Sequence, residues 1–311
     1  MASADRTVEV EGRELKLTNL GKVLYPKSGF TKGEVIDYYA RIAPALVPHL
    51  KGRALTLRRF PEGVDNSDAA FFEKRCPKHR PDWVKTVNVD AGPNSGGIDF
   101  CVCESLATLT WMAQLAAIEL HPSLSIGRKP DQPTVLAFDL DPGAPADVVD
   151  CCRVAMRVRD LFGHFDLECF PKTSGSKGLQ VYVPLNTKTS YDETKPFARA
   201  MAQLLEKQTP SEVISRMGKA ERKGKVFVDW SQNHRTKTTV AVYSLRAREQ
   251  PTASTPITWE EAERAVKRDD PESLVFEAGD VVKRFEKQGD LFAPVLERKQ
   301  RLPKFEKLAA A

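Results

Sequence analysis

The sequence contains no long apolar run. No stretch approaches the roughly 18 uninterrupted apolar residues that a membrane-spanning helix needs, and no signal-peptide pattern precedes the first charged segment. We therefore expect a chain that has no membrane partner and is located in the cytoplasm.

Cysteine is scarce as well, with six residues among 311. In a chain of this size without a secretion signal, so few cysteines indicate reduced thiols. Cys76 and His79, with Cys101 and Cys103, could together be taken for zinc ligands. Their spacing fits no paired C-x-x-C set, so we expect buried or unreactive thiols here.

Charge of one sign is not in large excess, because 47 basic residues face 42 acidic ones and the net charge is +5. The basic residues nevertheless cluster, which favours nucleic acid over a membrane as partner. One cluster, 216–225, is either a solvated linker or a phosphate-tracking loop.

At 41% hydrophobic residues, the chain can bury the core of one large domain or two modest ones. Residues 307–311 resemble an expression-vector tail and are left out of the fold prediction.

The stretch Thr134–Gly143 combines an apolar strand with two carboxylates. Four apolar residues lead into Asp139 and Asp141, and a Pro-Gly pair stops the run, which predicts a short strand buried on both faces. Because side chains alternate along a strand, both aspartates point to one side. Neighbouring carboxylates repel each other unless a cation lies between them, and oxygen ligands suit Mg²⁺ or Mn²⁺. The alternative, a turn-starting Asp141 beside a solvated Asp139, stays open from this stretch alone.

Two further stretches add candidate groups. Lys225–Trp230 predicts a second apolar strand that carries an aspartate near its end, Asp229. The loop Thr173–Gly178 offers backbone N–H groups, hydroxyls and one lysine to an anion. It lacks the frame and the following helix of a Walker loop, and Gly/Ser hairpin loops are common, so on its own it is a weak indication.

Apolar periodicity and turn residues predict the remaining elements. The first predicted helix begins after a Thr31–Glu34 capping box. The other predicted helices lie at 105–120, 146–162, 193–208, 259–267 and 279–288. The predicted strands are a hairpin at 8–17 and segments 53–60, 84–89, 98–103, 167–170, 179–184 and 239–245. The simplest interpretation of His121, at the end of helix 105–120, is a C-terminal cap that the helix dipole stabilises as a cation. Phe71 and Phe72 are adjacent, so at most one is expected in the core; the other is a base-stacking platform or a simple surface aromatic.

Eight short motifs occur in an order typical of one enzyme family. They are V-L-Y-P, R-R-F-P, F-F-E-K, E-L-H-P, F-D-L-D-P-G, S-G-S-K-G-L, K-V-F-V-D-W-S-Q-N and Y-S-L-R. From about Thr18 to Asp290, they resemble the polymerase domain of bacterial ligase D, in the archaeo-eukaryotic primase superfamily. Because no ligase or nuclease domain accompanies them, the chain more closely resembles the stand-alone mycobacterial relatives called primase-polymerase C.

The resemblance implies a mixed α+β fold with central, largely antiparallel sheets flanked by helices. It implies a single domain over 1–306, with an N-terminal DNA-binding part to about 130, a catalytic sheet at about 131–250 and a helical part at about 251–306. It also implies a bacterial protein associated with the nucleoid.

The resemblance further implies roles for individual residues. Asp139, Asp141 and Asp229 would bind two Mn²⁺ or Mg²⁺ ions and catalyse nucleotidyl transfer. The expected nucleotide-binding residues are His121 near the ribose, Ser174, Lys177 and Arg246 at the triphosphate, and Arg59, Ser176 and Gln180. The expected DNA-binding residues are Asn19, Lys22 and Lys32 at a 5′-phosphate, and Phe71, Phe72 and Lys74 at stacked or template bases.

Gln180 departs from the family pattern. The family usually reads S-G-S-K-G-L-H where this chain ends the motif in glutamine. A neutral amide cannot supply the charge of an imidazolium to a triphosphate. We therefore expect nucleotide affinity and its pH dependence to differ from the family pattern.

The function that follows is a template-dependent nucleotidyltransferase that uses NTPs or dNTPs and prefers or tolerates ribonucleotides. We expect it to fill short gaps or extend broken ends in DNA repair, by non-homologous end joining or excision repair. Its expected partners are gapped or broken DNA with a 5′-phosphate, a DNA ligase and an end-binding repair protein. A de novo primase is the nearest alternative; a metal-dependent nuclease and a catalytically silent DNA-end binding module are others. The three aspartates argue against the silent module, because a binder of polyanions has no use for added negative charge unless metals neutralise it.

Overall fold

The computed structural model describes residues 5–90 and 96–303, so the predicted tail at 307–311 lies outside the described residues. The helices are α1 (Lys32–Leu50), α2 (Leu106–Gln114), α3 (Val148–Gly163), α4 (Tyr191–Gln208), α5 (Trp259–Arg268), α6 (Ala278–Gln288) and α7 (Pro294–Glu297). The strands are β1 (Arg6–Val10), β2 (Arg13–Leu17), β3 (Val23–Tyr25), β4 (Phe30–Thr31), β5 (Leu55–Arg59), β6 (Phe71–Glu73), β7 (Thr86–Val89), β8 (Ile98–Cys101), β9 (Ala117–Pro122), β10 (Val135–Pro142), β11 (Phe170–Thr173), β12 (Leu179–Pro184), β13 (Val213–Ile214) and β14 (Val226–Asp229).

The first compact unit comprises residues 1–128, 238–254 and 276–290. Its main sheet has the order β6-β5-β8-β7, with β9 also paired to β5, and all of these pairs are antiparallel. Two hairpins, β1-β2 and β3-β4, accompany the sheet. Helix α1 packs against α2 and α6.

The second compact unit comprises residues 129–237, 255–275 and 291–311. Its sheet has the order β11-β12-β10-β14-β13, and all its pairs are antiparallel except β13-β14. Helices α3 and α4 pack on the central strand β10, and α5 packs on α3. The predicted class, α+β with largely antiparallel sheets flanked by helices, is confirmed. The predicted consecutive parts of one domain remain a prediction, and the two units interleave along the chain.

Local sequence signals fix several helix starts. Thr31 accepts a hydrogen bond from the Glu34 backbone N–H while the Glu34 side chain accepts from the Thr31 backbone, the predicted capping box. Three more helices, α3, α4 and α5, begin with boxes of the same kind. In the described part of the chain, no helix combines the length and the apolar composition that crossing a bilayer requires.

The predicted helix 105–120 is wrong beyond Gln114. Ala116 has φ of 56°, a left-handed conformation that ends the helix, and β9 follows at once. Strand β9 is buried on both faces, so its composition continues the apolar run of the helix and hides the change of structure. His121 therefore lies in a strand and caps no helix.

Two predicted strands are also displaced. The segment 239–245 is irregular, because the chain turns at Val242 and Tyr243, where Tyr243 has φ of 63°. The strand predicted at 167–170 lies instead at β11, at the edge of its sheet. Pro171 and Lys172 argue against a strand in the sequence, but an edge strand tolerates proline.

The cysteine prediction is correct in part. Cys76 and Cys101 form a disulfide, with Cα atoms 4.8 Å apart, so the prediction of reduced thiols is wrong for this pair. The possible zinc set loses two of its four members to that bond. The other four cysteines are free and buried, as predicted: Cys103, Cys151, Cys152 and Cys169.

Candidate active site

The centre of the second unit is an aspartate held between two neighbouring strands. Asp139 on β10 lies directly opposite Asp229 on β14 and directly opposite Gln180 on β12. Residues directly opposite in antiparallel strands have Cβ atoms about 4.5–5.5 Å apart, so the side chains of such residues interact. Asp141 follows two residues later on β10 and shares the face of Asp139, as predicted. The strand pairing thus brings together three carboxylates that the sequence separates by up to 90 positions.

The electrostatics of this cluster favour a protonated Asp139. Burial raises the pKa of the Asp139 carboxyl to about 7, and the charges of Asp141 and Asp229 add to that rise. A hydrogen bond from the Gln180 side chain opposes the shift. A divalent cation bound beside Asp139 would offset the repulsion from the two neighbouring carboxylates, so that Asp139 would ionise and serve as a ligand.

The three carboxylates are therefore suitable ligands for a hard divalent cation, although their oxygens do not converge on a single position. Asp229 accepts hydrogen bonds from the backbone N–H of Ser231 (2.8 Å) and from Gln232 (3.0 Å), while Asp141 is exposed. Within residues 5–90 and 96–303, no three acidic, histidine or cysteine side chains form a ready metal-ligand group. Like charges repel, and both Asp139 and Asp229 accept hydrogen bonds from neighbouring amide donors.

Behind Asp139, a row of polar side chains crosses the sheet. Lys172 on β11 lies opposite Gln180, and Gln180 lies opposite Asp139. Lys172 Nζ donates to Gln180 Oε1 (2.6 Å), and Gln180 Nε2 donates to Asp139 Oδ1 (3.0 Å). Lys172 is 0% exposed and Gln180 is 3% exposed. The Gln180 side chain thus contacts the carboxylate cluster. Its predicted role in nucleotide binding stays a prediction.

The predicted anion loop joins β11 to β12. The buried Ser174 hydroxyl accepts from the backbone N–H of Ser176 (3.2 Å) and of Gly178 (3.1 Å), which folds the loop on itself. A Cβ atom at Gly178 would lie 2.2 Å from the Leu140 carbonyl oxygen, so only glycine lets the loop pack this close to β10. Ser176 and Lys177 are exposed at its tip.

In the first unit, a buried carboxylate organises the predicted nucleotide-binding residues. Glu119 on β9 is 1% exposed and accepts hydrogen bonds from His121 Nε2 (2.9 Å), Arg58 Nη1 (3.3 Å) and the Ala247 backbone N–H (3.0 Å). Its carboxylate also forms an ion pair with Arg246, whose Nε lies 3.2 Å away. Although burial alone would raise it, the pKa of Glu119 is held well below its usual range by the His121 hydrogen bond and by Arg246. Glu119 is therefore ionised and can only accept hydrogen bonds.

That arrangement fixes the state of His121. Burial lowers the pKa of His121, although the hydrogen bond with Glu119 raises it. The imidazole is therefore neutral near pH 7, with Nε2–H donating to Glu119 and Nδ1 left as an acceptor. The interpretation of His121 as a charged cap of a helix is therefore wrong in two respects. The residue lies in a strand, and the lowered pKa leaves its ring neutral.

The two predicted stacking residues lie on β6, and neither belongs to the core. Phe71 is 42% exposed and Phe72 is 58% exposed. Phe72 meets the His121 ring edge-on at 5.7 Å, and the Arg59 guanidinium lies 5.2 Å from the Phe71 ring centre. Arg59 also donates to Glu73 (3.1 Å), and the next residue, Lys74, is exposed.

The three residues predicted at a 5′-phosphate come together in the first unit. The Lys22 backbone N–H donates to Asn19 O (2.9 Å), and the Lys32 backbone N–H donates to Lys22 O (2.8 Å). The Lys32 ammonium donates to Thr18 O (2.9 Å). Burial, with the charges of Lys22 and Arg59, lowers the pKa of Lys32 to about 8. The fold thus concentrates positive charge here, although Lys22 is paired with Glu62 (2.8 Å).

Two residues of these networks, Lys172 and Glu119, were not singled out from the sequence. Lys172 stood in a predicted loop, and no spacing rule connects it with Gln180 before the strand register is known. Glu119 did carry a signal, because it lies two residues before His121 in the E-L-H-P motif. Alternation places both on one face of a strand, but the motif had been assigned to a helix.

Comparison with known proteins places the chain among characterised relatives. A family model described as LigD, primase-polymerase domain, matches residues 31–292. The multifunctional non-homologous end joining protein LigD of Mycolicibacterium smegmatis is 42% identical over 283 residues, which cover 90% of this chain and 36% of that protein. The bifunctional non-homologous end joining protein LigD of Bacillus subtilis is 30% identical over 278 residues, 89% of this chain and 43% of that protein. The chain thus spans less than half the length of these relatives.

A solved structure gives the same result for the fold. The polymerase domain of Mycobacterium tuberculosis ligase D in complex with DNA is similar, with a TM-score of 0.84 and 40% sequence identity. The match covers 92% of this chain and 99% of that chain. The motif resemblance to the ligase D polymerase domain is confirmed, while the closer likeness to stand-alone relatives stays a prediction.

A first prediction concerns Asp139 and stability. The folded pKa of its carboxyl, about 7, lies above the ordinary value of 3.8, so ionisation opposes folding at pH values above 3.8 and most strongly above 7. Asp139→Asn should therefore raise the melting temperature at pH 8 in the presence of a chelator. The increase should be about 2–4 °C for each kcal/mol gained in the free energy of unfolding. The gain should shrink as the pH falls toward 4. Calorimetry at several pH values measures it, with the exposed Asp166→Asn as control. A gain independent of pH would contradict the assignment.

A second prediction concerns Glu119. A carboxyl with a lowered pKa stabilises the fold above its unfolded value of about 4.5, and that contribution declines as the pH falls below it. Glu119→Gln should cost about 3–5 kcal/mol at pH 7, because it leaves the half-buried guanidinium groups of Arg58 and Arg246 without their counter-charge. Denaturant unfolding at pH 7 and pH 4 measures the difference, which should be smaller at pH 4.

The matched control for that experiment is Glu104→Gln. Glu104 pairs with Lys85 (2.7 Å) on the surface of the same unit, where an ion pair contributes about 0–1 kcal/mol. Equal costs for the two variants would show that Glu119 is not the anchor of its network.

Proposed function

The chain belongs to the LigD primase-polymerase family, and we propose that it is a template-dependent nucleotidyltransferase that fills short gaps or extends broken ends of DNA. The observation that carries this proposal is the carboxylate cluster, in which Asp139 lies opposite Asp229 and beside Asp141 on the central strand. Such a cluster of strand-borne acids suits metal-assisted phosphoryl transfer. The similar solved domain is in complex with DNA, which supports DNA as the partner here.

The proposed cofactor is a pair of Mn²⁺ or Mg²⁺ ions held by Asp139, Asp141 and Asp229. When bound, such ions make a hydroxyl more acidic and neutralise charge on a transferring phosphate. The protein's own contribution is to fix the carboxylates on one face of a sheet and to keep Asp139 hydrogen-bonded to Gln180 (3.0 Å). Ionising Asp139 at neutral pH is favoured by any cation that the cluster takes up.

For the nucleotide, we propose that Ser174, Lys177 and Arg246 bind the triphosphate and that Arg59 is a further nucleotide-binding residue. Ser174 shapes the loop through its two backbone hydrogen bonds. The exposed tip, Ser176 and Lys177, supplies a hydroxyl and an ammonium charge to the phosphates.

Ribonucleotide use is proposed from His121. Its Nε2–H donates to Glu119, and this leaves Nδ1 as an acceptor. A ribose 2′-hydroxyl can donate to that nitrogen, whereas a deoxyribose has no donor there. The proposal therefore includes a preference for, or tolerance of, ribonucleotides.

End recognition is proposed from Asn19, Lys22 and Lys32. A terminal phosphate carries more negative charge than an internal diester, and two ammonium groups with an amide suit it. We further propose that Phe71 and Phe72 stack on DNA bases and that Lys74 binds the DNA at the same place, at stacked or template bases.

The biological setting is proposed from the relatives. They are named for non-homologous end joining, and we extend that setting to this chain, with a DNA ligase and an end-binding repair protein as partners. The proposed location is the bacterial cytoplasm, at the nucleoid.

The third prediction tests the carboxylate cluster. Asp139→Ala and Asp141→Ala should each abolish primer extension on gapped DNA with Mn²⁺, because removal of one ligand takes several kcal/mol from transition-state stabilisation. Affinity for the gapped DNA should change little, because the proposed phosphate grip uses other residues. Extension is followed on gels with ribo- and deoxyribonucleotides, and affinity by fluorescence anisotropy. Substantial extension by the double variant would refute the polymerase proposal, and unprimed templates and nucleotide-free reactions test the primase and nuclease alternatives.

The fourth prediction tests 5′-phosphate recognition through pH. The wild type should bind a gapped duplex with a 5′-phosphate more tightly than one with a 5′-hydroxyl. Because the pKa of Lys32 is about 8 rather than 10.5, this preference should begin to fall as the pH rises through 8, by up to about tenfold per pH unit. The phosphate is already a dianion there, since its second pKa is about 6.

Two variants sharpen that titration. Lys32→Arg stays charged across this range, so it should keep the preference to higher pH, while the Lys22→Ala/Lys32→Ala double variant should lose it at every pH. Both should extend an open primer-template about as well as the wild type. Equal wild-type affinity for the two duplexes at pH 7 would remove end recognition from the proposal.

A further inference from the structure

The row Lys172–Gln180–Asp139 has a fixed direction. An ammonium group can only donate hydrogen bonds, so Lys172 Nζ (2.6 Å from Gln180 Oε1) requires the amide oxygen of Gln180 to face it. The amide nitrogen then has to face the other way, where it donates to Asp139 Oδ1 at 3.0 Å. Without Lys172, the same amide could turn by 180° and present its oxygen to the carboxylate.

The strand register makes this direction rigid. Lys172, Gln180 and Asp139 are directly opposite one another on three successive strands, β11, β12 and β10. Lys172 is 0% exposed and Gln180 is 3% exposed, so neither side chain can exchange its partner for bulk water. The Lys172 ammonium also lies 5.4 Å from the centre of the Tyr182 ring on β12, which helps to hold it in place.

Burying a lysine is costly, and an apolar residue would suit the interior better for stability alone. The ammonium group is therefore better explained by what it does to its neighbours. Its effect passes through one amide to the aspartate at the centre of the carboxylate cluster. Partners of metal-binding side chains commonly act in this way, by fixing the orientation of the ligand.

We propose that Lys172 is a positioning residue of the metal-binding cluster: through Gln180 it fixes which oxygen of Asp139 is held within the sheet and which is left for a divalent cation. Gln180 is the transmitting group of this relay. The inference rests on the proposed function, because it takes the cluster to be the cation site.

The test is a four-variant cycle read out by Mn²⁺ binding. Free Mn²⁺ is measured by electron paramagnetic resonance during titration of the wild type, Lys172→Met, Gln180→His and the double variant. Lys172→Met removes the ammonium at similar length, so Gln180 loses its orientation and Mn²⁺ affinity should fall about tenfold or more. An imidazole N–H at position 180 can donate to Asp139 without Lys172, so in the Gln180→His background the same change should cost less than about threefold.

Two controls separate positioning from a merely structural role. Arg157→Met removes a cation of the same unit that is paired with Glu212 (2.6 Å), and Mn²⁺ affinity should not change. If Lys172→Met does not fold, Lys172→Gln replaces it, because it keeps a polar group but no obligatory donor. An affinity loss below threefold for the Lys172 variant, or an equal loss in both backgrounds, would overturn the relay.

Primer extension with the same proteins separates this inference from the proposed function. Lys172→Met should raise the Mn²⁺ concentration needed for half-maximal extension while extension at saturating Mn²⁺ recovers most of the wild-type rate. A wild type that binds Mn²⁺ but never extends primers would refute the polymerase proposal. The binding cycle would still decide the relay.

Discussion

The arrangement of the second unit depends on one constraint, the antiparallel pairing of β10 with a neighbour on each side. This pairing sets Asp139 opposite Asp229 on one side and Gln180 on the other. Because side chains alternate with period two, a slip of one residue in either register would send a carboxylate or the amide to the other face of the sheet. The apolar residues between the functional ones, such as Leu140 and Val228, are fully buried and hold that register. The strand register that the core packing fixes is therefore also the register that brings the site residues together.

Two carboxylates in this protein have opposite environments. Asp139 is half-buried and faces other carboxylates, and its pKa is raised to about 7. Glu119 is only 1% exposed but is surrounded by donors, and its pKa is lowered. The first is poorly satisfied by the protein, which is typical of a group that awaits a partner from solution. The second is satisfied by its neighbours and orients His121 and Arg246. Loss of hydration raises the pKa of both carboxyls, so the signs of the neighbouring charges decide which becomes a reactive group and which a scaffold.

The sequence allowed prediction of what local chemistry determines. The Thr31–Glu34 box, the strand through Asp139 and Asp141 and the strand ending at Asp229 all depend on residues close in the chain, and the structure contains them. The errors arise where a distant contact overrides a local pattern. The left-handed Ala116 ends α2 inside an apolar run, and pairing with β5 makes the remainder a strand. The Lys172–Gln180 contact and the Cys76–Cys101 bond join residues whose meeting depends on register, which no single motif encodes.

The hydrogen bonds around Glu119 have a kinetic consequence for any anion that binds its cations. Arg58 and Arg246 already share the charge of this carboxylate, so an incoming anion meets guanidinium groups that are partly neutralised. It gains less attraction than two isolated arginines would provide, but it finds them already oriented, with little side-chain entropy left to lose. Weaker attraction shortens the residence time of the bound anion, while prior orientation keeps its association fast. A site of this kind favours rapid exchange of its charged occupant over tight retention.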